Sequence, residues 1–384
     1  MFALIFPLML SVVDLGEHFS KGDAWRESAV DFAIGHQKDS FGFASLKCDV
    51  IDCRGRGHCT WFGLDVWETR IFYATGGATR VEMSLYNRGD DKDSSGLSSE
   101  ELGKLLDDIA SKAQPGGKIG ANPEKKKLGT GGFQLFKKWS GGDYVVDLTW
   151  GVSGAKTKEQ TADYVRVTIY PKGGAVHKAE KSVKKPVSGV VAKAKVRSHV
   201  KKNAEGDVWI DGVPMVDQGQ KGYCSAATSE RVLRYYGHDV DEHEIAQSAM
   251  TTAQGGTLVP EMKEAVRNIG SKCRLGFVEI VSMSDSIGDR KMRMKDSRYK
   301  KFLNGVKTQV DQGIPVFWGV TLGLFPEPML PQASGGHMRL IVGYNLKTHE
   351  ILYSDSWGAG HELKRMPEDW AFAITHDAFF LKPL

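Results

Sequence analysis

In the middle of the stretch from residue 23 to 170 the chain alternates apolar and polar side chains in short runs, the period of strands that bury one face. Arg70-Ile71-Phe72-Tyr73-Ala74 and Thr79-Arg80-Val81-Glu82-Met83-Ser84-Leu85-Tyr86 flank Thr75-Gly76-Gly77-Ala78, which predicts a hairpin. The period then changes. Ser98-Ser99-Glu100-Glu101 reads as a capping box, and Leu102, Leu105, Leu106, Ile109, Ala110 and Ala113 follow at helical spacing. Strands are expected again over Asp143–Trp150, after the Gly141-Gly142 turn, and over Tyr164–Tyr170. Strands, one helix and more strands predict an α+β domain over 23–170.

Periodicity stops over 171–206, which is rich in Lys, Ala and Val and interrupted by Gly173-Gly174, Pro186 and Gly189; a linker is expected there. From 207 to 384 helical runs come first: Thr228–Tyr236, Glu242–Met250, Val259–Ile269 and Ser297–Gln312, the last with Phe302, Val306 and Val310 on one stripe. Strand-like runs follow at Ile314–Val320, Met338–Tyr344, Glu350–Ser354 and Ala371–Ile374, so this domain too is predicted to be α+β. At the other end, Met1–Val13 is apolar and too short to span a bilayer. Its length suits the core of a signal peptide, although no Lys or Arg precedes it and no Ala-x-Ala site follows. The expectation is a signal over 1–13 in a bacterial secreted or periplasmic protein, with membrane contact at most through that segment. A buried N-terminal strand or helix is the alternative.

Charge sharpens the domain picture. The 384 residues carry a net +4, but 172–202 holds ten basic side chains against Glu180 alone. The rest has 41 basic and 46 acidic residues, a net of −5, which argues against a general nucleic-acid binder. Cysteine usage is sparse. Cys48, Cys53 and Cys59, with His58 between them, lack the close-paired spacing of a structural zinc site, so no metal is expected; a disulfide among them if exported, or core thiols, fits better. Gly129-Thr130-Gly131-Gly132 is not a phosphate loop, because no Gly-Lys-Ser/Thr follows. No cofactor is expected.

The chemistry gathers in the second domain. Cys224 follows the loop Gly219-Gln220-Lys221-Gly222-Tyr223 and precedes a helical run, a place where the helix N-terminus favours thiolate. Gln218, six residues earlier, can donate through its amide, and with the Cys224 N–H it would make an oxyanion hole; Gln220 competes for that role. His337 follows two glycines that would allow close approach of another segment, and it can serve as general base. Asp355 lies eighteen residues on, at the end of the next strand, where its carboxylate could hold the imidazole; Trp357 could cover that bond.

These pieces resemble the papain-like cysteine peptidases. Gln218-Gly219-x-x-Gly222-x-Cys224 matches that family's Gln-Gly-x-x-Gly-x-Cys segment, Gly335-Gly336-His337 with Val342-Gly343-Tyr344 its His segment, and Asp355-Ser356-Trp357-Gly358 its Asn-Ser-Trp-Gly with Asp for Asn. Closer still is the similarity to the bacterial double-glycine (bacteriocin) leader peptidases and their stand-alone relatives, carried by Leu233-Arg234-Tyr235-Tyr236-Gly237 and the acidic start Asp241-Glu242 of a second helix. Asp is the usual third member in that branch. The resemblance covers residues 207–375. It implies a papain-like fold, a Cys helix beside an antiparallel sheet, with Gln218 as oxyanion donor, Cys224 as nucleophile, His337 as base, Asp355 as orienter and Trp357 as shield. Papain itself has Trp directly after the nucleophile and a second Cys before it; Ser225 and Lys221 stand there, so groove specificity does not carry over. The expected activity is hydrolysis of a peptide or protein substrate. An amidase or acyl transferase using the same thiol, and a non-catalytic binding protein of this fold, are the alternatives. The first domain is left as a substrate-binding module, an inhibitory pro-segment or an anchor.

Overall fold

The computed structural model describes residues 12–90, 96–112, 123–128, 132–153, 161–173, 195–219, 222–238, 240, 242–249, 251, 256–257, 259–283, 290–327 and 330–384. The protein is mixed α+β and divides into two compact units, 1–183 and 184–384.

The first unit is built on an antiparallel sheet. Its strands are β1 (Val13–Asp14), β2 (Gly42–Phe43), β3 (Val50–Trp61), β4 (Leu64–Ala74), β5 (Gly77–Asn87), β6 (Glu124–Leu128), β7 (Gly132–Ser140), β8 (Tyr144–Ser153) and β9 (Thr161–Pro171), in the order β1-β3-β4-β5-β9-β8-β7-β6 with β2 beside β3. The hairpin β4–β5 turns at Thr75-Gly76, where the alternation ends. Helices α1 (Leu15–Phe19), α2 (Ala29–Gly35) and α3 (Ser99–Lys112) supply Phe19, Phe32 and Ile109 to one core with Ile51, Ile71 and Val81 of the sheet. Of the segment read as a signal, residues 1–11 lie outside the described residues. Val13 and Asp14 pair in parallel with Cys59 and Thr60, and Asp14 caps α1. No described helix is long and apolar enough to cross a membrane. Cys53 and Cys59 are buried thiols on β3, bonded to Asp39 O and Thr69 Oγ1, while Cys48 is exposed. Residues 129–131 of the glycine-rich loop lie outside the described residues.

The second unit begins inside the segment read as linker, whose residues 174–194 lie outside the described residues. Val196 is buried in the core, and β10 (Val200–Lys202) pairs with β11 (Asp207–Ile210). The remaining strands are β12 (Leu275–Ser282), β13 (Val316–Leu322), β14 (Gly335–Asn345), β15 (Glu350–Ser354), β16 (Lys364–Pro367) and β17 (Thr375–Pro383). The order is β10-β11-β14-β13-β17-β12, with β15 beside β14 and β16. Helices α4 (Cys224–Tyr235), α5 (Glu242–Ser248) and α6 (Val259–Lys272) bury Val232, Ile245 and Val266 against Phe317, Leu340 and Phe379. After the short α7 (Arg290–Met294), α8 (Arg298–Asp311) places Phe302, Val306 and Val310 with Val316, Trp318 and Ile341 in a separate cluster. Alternate residues of the central strands thus feed two cores, as the pleat requires. Ala371–Ile374 is not a strand. Glu368–Ala373 forms helix α9, with Glu368 and Asp369 in its first turn, and Ile374 is its C-cap. The apolar run is too short to reveal its period, and acidic residues at its start favour the helix.

Candidate active site

Cys224 is the first residue of α4. The opening N–H groups of a helix have no intrahelical partners, and its dipole favours negative charge at that end. The helix is tied to the sheet by two buried side chains. Thr228 Oγ1 donates to Met338 O at 3.3 Å. Arg231 donates to the carbonyls of Pro214 and Asp355, each at 2.8 Å, and to Ser354 Oγ at 2.5 Å. Those bonds fix the helix start against the ends of β14 and β15.

His337 stands on β14 with no exposed side-chain surface, and its Nε2 lies 3.0 Å from Asp355 Oδ1. With Nε2 engaged, Nδ1 is the ring nitrogen left for Cys224, whose thiol interacts with the imidazole. Trp357 stacks on the ring, with centroids 4.2 Å apart and planes at 12°. Asp355 directly follows β15, and the register Leu340↔Ser354 brings it beside β14. Its Oδ1 also accepts from Arg339 Nε at 2.8 Å and its Oδ2 from Lys364 Nζ at 2.8 Å.

Burial alone would keep both the thiol and the imidazole neutral. The imidazole of His337 overrides it at Cys224, whose pKa is lowered. Asp355 and Cys224 override it at His337, whose pKa is raised. Both shifts favour thiolate beside imidazolium. Burial also opposes a charged Asp355, but the His337 hydrogen bond, Arg339 and Lys364 hold its carboxyl well below the ordinary carboxylate range.

Gln218 is buried, donates its backbone N–H to Ser356 O at 2.8 Å, and accepts from Ser356 Oγ at 2.9 Å through Oε1. Holding Oε1 directs the amide's donor end away from Ser356. Gln218, Cys224, His337 and Trp357 line one cleft of about 980 Å³, with Val320 and His376 among its other walls. Gln220, the competitor for Gln218, lies outside the described residues. Of the two glycines before His337, Gly335 has Gln332 Nε2 3.1 Å from where a side chain would start, while Gly336 differs from expectation. Beyond its two chain neighbours, no residue comes within 4 Å of where a Gly336 side chain would start, so that residue faces open cleft rather than a packed segment.

Residues 210–376 match the family model described as Peptidase_C39 like family. The second unit is thus similar, over those residues, to a family of cysteine peptidases. It is a cysteine-type peptidase. Among solved structures, xylellain, a cysteine protease from Xylella fastidiosa, matches at 12% identity over 50% of this chain and 89% of that one, with a TM-score of 0.33. No curated protein matches the chain.

Around this candidate site the sequence motifs assign no role to Arg231, Glu327, Arg339 or Lys364, nor to the Ser356 hydroxyl. One signal was available. Arg339 lies two residues after His337, so a strand puts both on the same face. Glu327 carries no such signal, because it lies outside any strand or helix between β13 and β14.

Proposed function

We propose that this peptidase works through Cys224, His337, Asp355 and Gln218 on a papain-like fold. The thiolate of Cys224 attacks the carbonyl carbon of a peptide bond, and the carbonyl oxygen takes the negative charge. The Cys224 N–H and the Gln218 amide donate to that oxygen. The imidazolium of His337 gives its proton to the leaving amine; the ring then takes a proton from water, which releases the acyl group from sulfur. Asp355 keeps Nε2 engaged, so Nδ1 handles both proton transfers. Trp357 excludes water from the His337–Asp355 bond, and the open space at Gly336 leaves room for substrate backbone.

One observation carries this reading: a helix-start cysteine and a buried histidine, already bonded to a buried carboxylate, meet in a single cleft. The test is a digest of a peptide library by wild type and Cys224→Ala, with parallel labelling by an electrophilic thiol probe. The variant is expected to lose all turnover and all label at position 224 while keeping the wild-type melting profile. Turnover retained by Cys224→Ala would exclude the mechanism.

A further inference from the structure

Asp355 is not held by His337 alone. Oδ1 accepts from both His337 Nε2 and Arg339 Nε. The Arg339 side chain has no exposed surface, and its terminal nitrogens lie 3.0 and 2.9 Å from the two carboxylate oxygens of Glu327. Glu327 also accepts from the Tyr353 hydroxyl, and the guanidinium lies over the Tyr353 ring at 4.6 Å. A two-pronged bond of this kind leaves a guanidinium one orientation. The direction of Nε is therefore set by Glu327, independently of Asp355.

We infer that Arg339 is a positioning residue of this site: its guanidinium, oriented by Glu327, pins the Asp355 carboxylate against His337 and cancels part of its charge, so that the imidazolium is stabilised less than beside a free carboxylate. The inference rests on the reading of Cys224 and His337 as the catalytic pair. A unit charge about 6 Å from an imidazole, at an effective dielectric constant of ~20, moves its titration by about two pH units, and an opposite charge behind it takes back more than half of that. Glu327 is that opposite charge. Lys364 on Oδ2, Arg231 on the Asp355 carbonyl, His361 against Trp357 and His376 in the cleft also face the group, and they stay constant in the comparison.

The experiment is the pH dependence of carboxamidomethylation of Cys224 by iodoacetamide, read by mass spectrometry on the full chain. Wild type, Glu327→Gln and the double variant Arg339→Met/Glu327→Gln are compared. The lower limb of each profile reports thiolate formation and the upper limb loss of imidazolium. In Glu327→Gln the upper limb is expected to fall below wild type, because the cation is unopposed. In the double variant it is expected to rise by roughly half to one pH unit. A purely structural Arg339 would change melting temperature and leave the limbs in place. Glu327→Gln is nearly isosteric, so an unmoved or raised upper limb in that variant overturns the inference even if the double variant does not fold. A wild-type profile with one limb at the ordinary thiol value would instead overturn the catalytic pair itself.

Discussion

At the scale of single residues the site is governed by a buried carboxylate among cations. Asp355 has no exposed surface, and its carboxyl titrates far below its ordinary value because His337, Arg339 and Lys364 stabilise the charged form. A carboxyl whose pKa falls on folding contributes stability above its unfolded value of about 3.9, and loses that contribution as pH drops toward the folded value. Asp355→Asn should therefore cost about 3 kcal/mol at neutral pH, because it leaves Arg339 and Lys364 facing a neutral amide. The deficit should shrink as pH falls below about 4, since only wild type must then protonate the carboxylate in the unfolded chain. Chemical denaturation at several pH values measures it, and a deficit that stays constant with pH contradicts the argument. Gln218 makes a different prediction. Its amide is aimed by Ser356, and Gln218→Ala should lower kcat about 100-fold while the iodoacetamide profile of Cys224 stays at its wild-type position. The candidates Cys224, His337, Asp355 and Gln218 stand out in the sequence because each sits in a short recognisable string. Arg339 shows in the sequence only its place on the His337 face of the strand, and Glu327 shows nothing, because their contacts exist only once β14, β15 and the segment before β14 are side by side.

At the scale of elements, the helical stripe of α8 and the short run Glu350–Ser354 mark their elements, whereas the apolar runs near the C-terminus do not. The stripe Phe302, Val306 and Val310 marked α8, and all three are fully buried. The run Ala371–Ile374 shows no period of its own and belongs mostly to α9. Strand β17, which follows it, was missed although it pairs with both β12 and β13. Its central Ala378-Phe379-Phe380-Leu381 is a continuous apolar run, buried on both faces, and so lacks the alternation that marks a half-buried strand. The end of α8 was legible for a backbone reason. Gly313 has φ +74°, and a Cβ there would lie 2.0 Å from the Val196 carbonyl oxygen. Gly313→Ala is thus expected to destabilise the protein by at least ~2 kcal/mol, from left-handed strain together with displacement of the Val196 segment. A midpoint of urea unfolding equal to wild type would refute this.

At the scale of the whole molecule, the boundary between the units decides which piece can stand alone. Charge and composition marked 171–206 as linker, but lysines on an exposed edge strand and lysines in a linker look alike in sequence. Lys201 and Lys202 are exposed residues of β10, paired with Trp209 and Val208 of β11. Val196 packs in the same core as Phe302 and Ile341, and the Tyr235 hydroxyl donates to the carbonyl of Gly313 at 2.8 Å, next to where the Val196 carbonyl lies. A chain cut at Asp207 would lose β10, open an edge of β11 and leave a hole where Val196 sat. A chain starting at Lys184 keeps all three. The piece 184–384 is expected to unfold in a single transition and to label at Cys224 as fast as the full chain. The piece 207–384 should be less stable by about 2–4 kcal/mol, the sum of a buried valine and a lost strand pairing. Thermal unfolding of the two pieces side by side checks this, and equal midpoints would show that 195–206 is linker after all. The same pair settles what activity measurements on a truncated chain mean. Low turnover from 207–384 alone would report a damaged core, whereas a gain in turnover by 184–384 over the full chain would identify the first unit as inhibitory.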